Sequence, residues 1–126
     1  RIGVALGTEE VGIASPWGII DAKPEETCKE RMYAFLQKEG VEKIVIGMPE
    51  LLRERGSATQ QQEHIRAWAE RMFAGDSREV VYEDETLTTA MAAGYQRERG
   101  EKGKRDDLAA MAILQGYFDR YGRVSS

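Results

Sequence analysis

Short apolar runs separated by glycine, proline and acidic residues fill the first 22 positions of the chain. The runs are IGVAL, VGIA and WGII, with Gly-Thr-Glu-Glu after the first and a serine-proline pair after the second. Breaks of this composition predict turns between strands. The opening segment is therefore expected to form an antiparallel meander of three strands, the first of which carries only small or aliphatic residues.

Longer periodic segments alternate with single apolar runs in the rest of the chain. Apolar residues at helical spacing predict an amphipathic helix that begins near Pro24 and ends at Gly40. The nearly continuous apolar run at 41–49 is typical of a buried parallel strand. Further helices are predicted from Ser57 to about Gly75, over 87–100 and from about Arg105 to Tyr121, with a short strand at 78–85.

This order of elements predicts an α/β fold. Strands that alternate with helices are expected to be parallel, so the sheet should be mixed and five-stranded, with the antiparallel three-strand meander, parallel strands and helices on both faces. The length of 126 residues predicts one domain over 1–126. Trp17 is expected in the core. Further residues expected in the core are Ile2, Val4, Ile44, Val45, Ile46, Trp68, Phe73, Val80, Ile113 and Leu114.

Composition narrows the chemistry. The net charge of −4 excludes a chain-wide basic surface for nucleic acid, so any such surface must be local. One cysteine, Cys28, and one histidine, His64, exclude a zinc cluster, so a metal would be held by carboxylates, which favours Mg²⁺ or Mn²⁺. Without a secretory signal pattern or an apolar run near the roughly 20 residues that span a bilayer, we expect a cytoplasmic protein with no membrane association.

Acidic residues occur at two positions suited to catalysis. Glu83, Asp84 and Glu85 lie at the end of a predicted strand, in EDETLTT at 83–89, and ligands collect at that edge of open α/β sheets. Because adjacent strand residues point to opposite faces, Asp84 and Glu85 are not both expected to face one site. Asp106 and Asp107 open the last predicted helix. The alternatives are a solvated acidic turn followed by a threonine helix cap, and acids that stabilise the helix dipole by about 0.3–1 kcal/mol.

A basic, glycine-containing segment, RERGEKGKR at 97–105, directly precedes these helix acids. Its five basic residues are Arg97, Arg99, Lys102, Lys104 and Arg105. A solvated loop is the alternative, but a basic segment beside carboxylates would draw a phosphodiester toward metal-binding acids. Together the three segments indicate two-metal phosphodiester hydrolysis.

Four motifs, in order along nearly the whole chain, give a family resemblance. They are ALGTEEVGIASPWGII at 5–20, EKIVIGMP at 42–49, DETLTT at 84–89, and KGKRDDLAA at 102–110 followed by ILQGY at 113–117. In them the chain resembles the YqgF family, also called RuvX, of Holliday-junction-resolvase-like nucleases with an RNase H-like fold.

The resemblance implies a site built from the first strand, the Asp-Glu pair and the last helix. It implies catalytic roles for Glu85, Asp84 and Asp106, with Asp107 as a neighbouring metal ligand. The family's first-strand aspartate falls on Ala5, which has no oxygen to offer a cation. The nearby turn acids Glu9 and Glu10 are expected to lie too far from residue 5 to replace it.

The resemblance implies a metal-dependent nuclease that acts on RNA, in 5′-end processing of pre-16S rRNA, or on Holliday junctions and other branched DNA. Because of Ala5, the alternative is a catalytically weakened homologue that binds nucleic acid. A third class, phosphate binding as in sugar kinases and actin-like ATPases, shares the glycine-rich hairpin but needs two such domains. The oligomeric state is open between monomer and homodimer.

Overall fold

The computed structural model describes residues 2–48, 60–84 and 106–122. Their helices and strands confirm the predicted mixed α/β class. In chain order the elements are β1 (Ile2–Thr8), β2 (Ile13–Ile20), α1 (Glu25–Glu39), β3 (Lys43–Met48), α2 (Gln60–Met72), β4 (Glu79–Asp84) and α3 (Asp106–Tyr117), which continues as a π-helical turn (Phe118–Gly122). The helix predicted over 87–100 lies outside the described residues.

The opening segment forms a two-strand hairpin, and the predicted three-strand meander is wrong. β1 and β2 pair antiparallel from Ile2 opposite Ile20 to Thr8 opposite Ile13. Pro16 was expected to end a strand, but β2 continues through it because a bulge places Trp17 between two paired positions. Proline is tolerated at bulges and on edge strands, where its missing N–H breaks no ladder of hydrogen bonds.

The second strand pair is parallel, as predicted. β3 and β4 run side by side from Lys43 opposite Glu79 to Met48 opposite Asp84. The described residues thus contain four strands in two separate two-stranded sheets, so the single five-stranded sheet is not formed in them. The sheets are connected through packing: α3 contacts all four strands.

The core lies on both faces of the strands. On one face Val4 and Ile20 pack with buried residues of α1 and α2, and Ile44, Ile46 and Val80 pack against this cluster. On the other face Ala14 packs with Tyr117 and Phe118 of the α3 region, and Val45 and Val81 complete the cluster. Alternate residues of β3 and β4 therefore face different helices, as expected for buried parallel strands. Helices cover both faces.

The predicted core is confirmed in part. Val4 and Phe73 are buried, whereas the other eight positions are half-buried. Trp17 was expected in the core, but 44% of it is exposed because the bulge directs it away from the strand pairing.

The end of α1 is determined by Gly40, as predicted. Gly40 is left-handed, with φ of 64°. Its N–H donates to the carbonyl of Gln37, and the Val41 N–H donates to the carbonyl of Leu36 at 3.0 Å. This pair of hydrogen bonds is the Schellman arrangement, which favours glycine at this position.

No helix in the described part of the chain is long and apolar enough to cross a membrane.

Candidate active site

Two adjacent carboxylates are buried at the carboxyl end of β4. Glu83 is 3% exposed and Asp84 is 4% exposed. Burial of an unpaired charge is costly, so a buried acid is normally paired or binds a cation. The place is the one predicted for Asp84, at the strand edge where ligands collect in α/β folds.

Glu83 forms an ion pair with Arg120, which follows α3. The Nη1 atom of Arg120 lies 3.1 Å from its Oε2 atom, although no described donor is aligned to hydrogen-bond with that oxygen. Burial raises the pKa of Glu83, the Arg120 charge opposes this rise, and neighbouring Asp84 adds to it. From the sequence, Glu83 is grouped with Asp84 and Glu85 but is assigned no catalytic or metal-binding role. Strand alternation was the available signal, because Glu83 shares a face with Val81, which packs toward α3.

Alternation separates the two strand-end acids. Val80 packs on the side of α1 and α2, and Tyr82 lies beneath Arg66 of α2, with 4.7 Å from the guanidinium carbon to the ring centroid. Asp84 continues this face of β4, whereas Glu83 continues the face toward α3. Of the two, Glu83 therefore contacts the element that begins with Asp106.

The first turn of α3 lies directly on β1. A Cβ atom built at Gly3 would collide with the backbone carbonyl of Asp106. Gly3 and Ala5 share one face of β1, because the bulge inserts its extra residue in β2 and leaves β1 regular. The structure therefore brings the helix end that carries Asp106 to the strand that carries Ala5, two residues away.

The acids of this first turn are enclosed. Asp107 is buried, and its Oδ1 atom accepts a hydrogen bond from the Leu108 N–H at 3.0 Å. Asp106 is half-buried. Acids in a first helical turn also complement the helix dipole, so this position suits both the catalytic and the stabilising interpretation of the sequence.

A glutamine fixes α3 to the hairpin. Gln115 accepts a hydrogen bond from the Ala14 N–H at 3.0 Å through its Oε1 atom. Its Nε2 atom donates to the Gly12 carbonyl at 2.9 Å and to an oxygen of Asp119 at 3.1 Å. Because the same side chain serves a donor and an acceptor of the hairpin backbone, it determines how α3 sits over β2.

Lys43 forms a second attachment at the start of β3. Its Nζ atom donates to the Tyr117 hydroxyl at 2.7 Å and to Glu9 at 3.2 Å, and it lies 3.7 Å from Glu79. The hydrogen bonds to Tyr117 and then to Glu9 raise the pKa of Lys43. Glu9 is thus engaged by a lysine of another strand, which agrees with the expectation that it does not replace the acid absent at Ala5.

The remaining site predictions fall outside the described residues. They are Glu85 and the five basic residues Arg97, Arg99, Lys102, Lys104 and Arg105. Within 2–48, 60–84 and 106–122, no three acidic, histidine or cysteine side chains form a group that could hold a metal ion. The metal site of Asp84, Glu85, Asp106 and Asp107 accordingly stays a prediction.

Comparison with known proteins identifies relatives over nearly the whole chain. The sequence model of the RuvX family, described as Holliday junction resolvase, matches residues 1–120. A Chloroflexus aurantiacus protein named "Putative pre-16S rRNA nuclease" is 34% identical over 124 residues, which cover 94% of this chain and 80% of that protein.

Two further relatives carry the same name. The Salinibacter ruber protein is 34% identical over 136 residues, which cover 96% of this chain and 93% of the relative. The Thermus thermophilus protein is 35% identical over 125 residues, which cover 95% and 90%. The similarity therefore includes the hairpin, both parallel strands and α3.

Proposed function

Because the chain belongs to the RuvX family, we propose that it is a nuclease that hydrolyses phosphodiester bonds of nucleic acid. The family match over residues 1–120 carries this proposal, since it runs through the strand-end acids and the acids that open α3. The close contact of the α3 first turn with β1, which brings Asp106 to the strand of Ala5, supports it. A cytoplasmic location is part of the same proposal.

RNA is the substrate that the relatives favour. Three proteins similar over at least 94% of this chain are named for pre-16S rRNA, so we assign 5′-end processing of pre-16S rRNA as the reaction. The family description names Holliday junctions instead, which makes branched DNA the second substrate to test. The basic segment that contains Lys102, Lys104 and Arg105 would draw either polyanion toward the acids.

The proposed reaction depends on Mg²⁺ or Mn²⁺. The donor chemistry fits these hard cations, because Asp84, Glu85, Asp106 and Asp107 offer only carboxylate oxygens. Asp107 is already buried in the chain, so it would coordinate without first losing a full shell of water, whereas Asp84 continues the β4 face away from α3 and would have to reach the site around the strand end. Bound divalent cations would supply an activated water and stabilise the charge that develops on the phosphate.

A weakened homologue that binds without cutting is the second candidate function. The observation that favours it is Ala5, which lies on the strand that touches the first turn of α3 yet brings no oxygen there. A missing ligand would leave more uncompensated positive charge between two closely spaced cations. In that case the nucleic acid would be held by the basic segment and released intact.

A cleavage assay separates the two candidates. Purified protein is incubated with labelled pre-16S rRNA 5′ leader and, separately, with a four-way DNA junction, in Mn²⁺, Mg²⁺ or EDTA. The nuclease proposal expects metal-dependent cleavage, with RNA cut faster, and loss of cleavage in Asp106→Asn. Binding of RNA without cleavage in either metal, by protein that is shown to be folded, would select the weakened homologue.

A further inference from the structure

An apolar groove with basic residues at its sides lies between the edge of β2 and α1. Its volume is about 290 Å³. Its apolar lining is Trp17, Ile19, Ile20, Ala34 and Phe35, and Arg31 and Lys38 flank it. Of the acids assigned to the nuclease site, those that the structure describes (Asp84, Asp106 and Asp107) do not line it.

Trp17 is exposed to solvent by a β-bulge in β2. It is the extra residue of the β2 bulge, and bulges commonly redirect a side chain. Its ring centroid lies 4.5 Å from that of Phe35, which is 7% exposed, with 58° between the ring planes. The core thus holds the indole in place while 44% of the residue stays exposed. A fixed, exposed aromatic ring of this kind can stack a base at low entropic cost.

The charges of the groove suit a polyanion. Arg31 and Lys38 lie on α1 about 10 Å apart along the helix axis, from their seven-residue separation. Among the described residues no acidic side chain lines the groove, although the chain has 22 acidic and 18 basic residues. A cationic, aromatic surface on a net acidic chain fits phosphates on either side of a stacked base.

The edge of β2 is poorly suited to a second copy of the chain. Dimerisation by strand addition needs a regular run of free N–H and C=O groups. Pro16 has no N–H, and the bulge at Trp17 interrupts the regular spacing. These two features disfavour pairing of β2 with a strand from another molecule.

We propose that this groove binds a single-stranded segment of nucleic acid, with one base stacked on Trp17 and flanking phosphates contacted by Arg31 and Lys38. The choice of ligand rests on the proposed nuclease function. The groove would hold the strand of the substrate away from the acidic residues, so it contributes affinity and orientation and takes no part in the chemical step.

Binding of a short fluorescein-labelled oligoribonucleotide of mixed sequence, measured in EDTA, tests the proposal without cleavage. Trp17→Ala should weaken binding by about 5- to 150-fold, the effect expected for one stacked base. Arg31→Ala/Lys38→Ala should lower the slope of log K against log salt concentration by about 1.4, because two phosphates of the single strand are no longer neutralised. The control Lys29→Ala/Arg66→Ala removes two cations outside the groove and should change this slope less.

Tryptophan fluorescence gives a direct readout of the ring. With Trp68→Phe, Trp17 is the one tryptophan left in the chain, and RNA should quench its emission; Arg31→Ala/Lys38→Ala should shift the quenching curve to higher RNA concentration. This double variant changes only exposed helical positions, so it tests the groove even if Trp17→Ala folds poorly.

Three outcomes would overturn the proposal: unchanged affinity in both groove variants, an equal salt slope in the groove and control variants, or a dimer that Trp17→Ala converts to a monomer with unchanged RNA affinity. The last would identify a self-association surface. Cleavage of the same RNA in Mn²⁺ is measured separately. Absent cleavage with groove-dependent binding rejects the nuclease function alone, whereas normal cleavage with groove-independent binding rejects the groove alone.

Discussion

The backbone carbonyl of Asp106 occupies the space that a Cβ atom of residue 3 would need, so Gly3 and Asp106 are in direct contact across the strand and helix. A Cβ atom at Gly7, on the same face of β1, would meet the Ile13 carbonyl of β2 and the ring of Phe118. These contacts explain why the first strand carries small residues at alternate positions: they allow α3 to lie close to β1.

Gly3→Ala should destabilise the protein by about 1–3 kcal/mol, because the added methyl group meets backbone that can relieve the clash only by moving α3. The free energy of unfolding from chemical denaturation measures this effect. Ala5→Gly, on the same face of β1, adds no atom and should cost only the roughly 0.5–1 kcal/mol of a strand glycine, so it serves as the control. Equal stability of Gly3→Ala and the parent would show that α3 does not approach β1 this closely.

Gln115→Ala should destabilise the protein by about 1–3 kcal/mol, because it leaves the Ala14 N–H, in a buried residue, without its acceptor. Hydrogen exchange provides the specific measurement. In the variant the amide of Ala14 should exchange faster by more than the loss of global stability explains, whereas the paired amides of β3 and β4 should exchange faster only by that global loss. Unchanged exchange at Ala14 would contradict this hydrogen bond.

The sequence predicts well those parts of the fold that depend on local signals. Gly40 ends α1 because a left-handed residue is needed there, and the apolar run of β3 marks a parallel strand. The hairpin was mispredicted because proline and glycine signal both turns and bulges. Only the pairing with β1 shows that Pro16 and Trp17 lie within one strand.

In the candidate site, too, the features with local sequence signals could be predicted and those that depend on tertiary contacts could not. The motifs identify Asp84 and Asp106, and the structure places them at a buried strand end and at the start of α3. The ion pair of Glu83 with Arg120 joins residues 37 positions apart, and no local pattern encodes it. The groove at Trp17 depends on tertiary packing against Phe35, which periodicity alone does not determine.

Asp76 should contribute a pH-dependent part of the stability. The Arg78 N–H, the largest cause, and the Arg78 guanidinium at 2.6 Å lower the pKa of Asp76 below its ordinary value of 3.8. A lowered folded-state pKa stabilises the protein above the unfolded value, and this contribution disappears as pH falls through the folded value.

Unfolding of the parent and Asp76→Asn is therefore compared from neutral pH into the acid range. The parent should lose more stability than the variant as the pH falls below about 3.8. Parallel stability curves for parent and Asp76→Asn would reject the role of Asp76.

Lys102→Ala/Lys104→Ala should weaken RNA binding across sequences and reduce the dependence of binding on salt. The expected reduction is about 0.7 units of slope for each phosphate of a single strand that these lysines neutralise. Titrations at several salt concentrations in EDTA measure the slope. The double variant Lys29→Ala/Arg66→Ala also removes two positive charges and serves as the charge-matched control. An unchanged slope would exclude the segment as a nucleic-acid binding surface.

The most direct test of a nuclease site that lacks its first-strand acid is single-turnover cleavage of RNA by the parent and Ala5→Asp over a Mn²⁺ titration. The added carboxylate should tighten metal binding and raise the rate by roughly tenfold or more, which corresponds to about 1.4 kcal/mol of transition-state stabilisation. Ala5→Asn, of similar size but without the charge, should not reproduce the gain. Equal, robust rates in parent and Ala5→Asp would contradict the role assigned to residue 5, and absence of cleavage by both folded proteins would contradict the nuclease function itself.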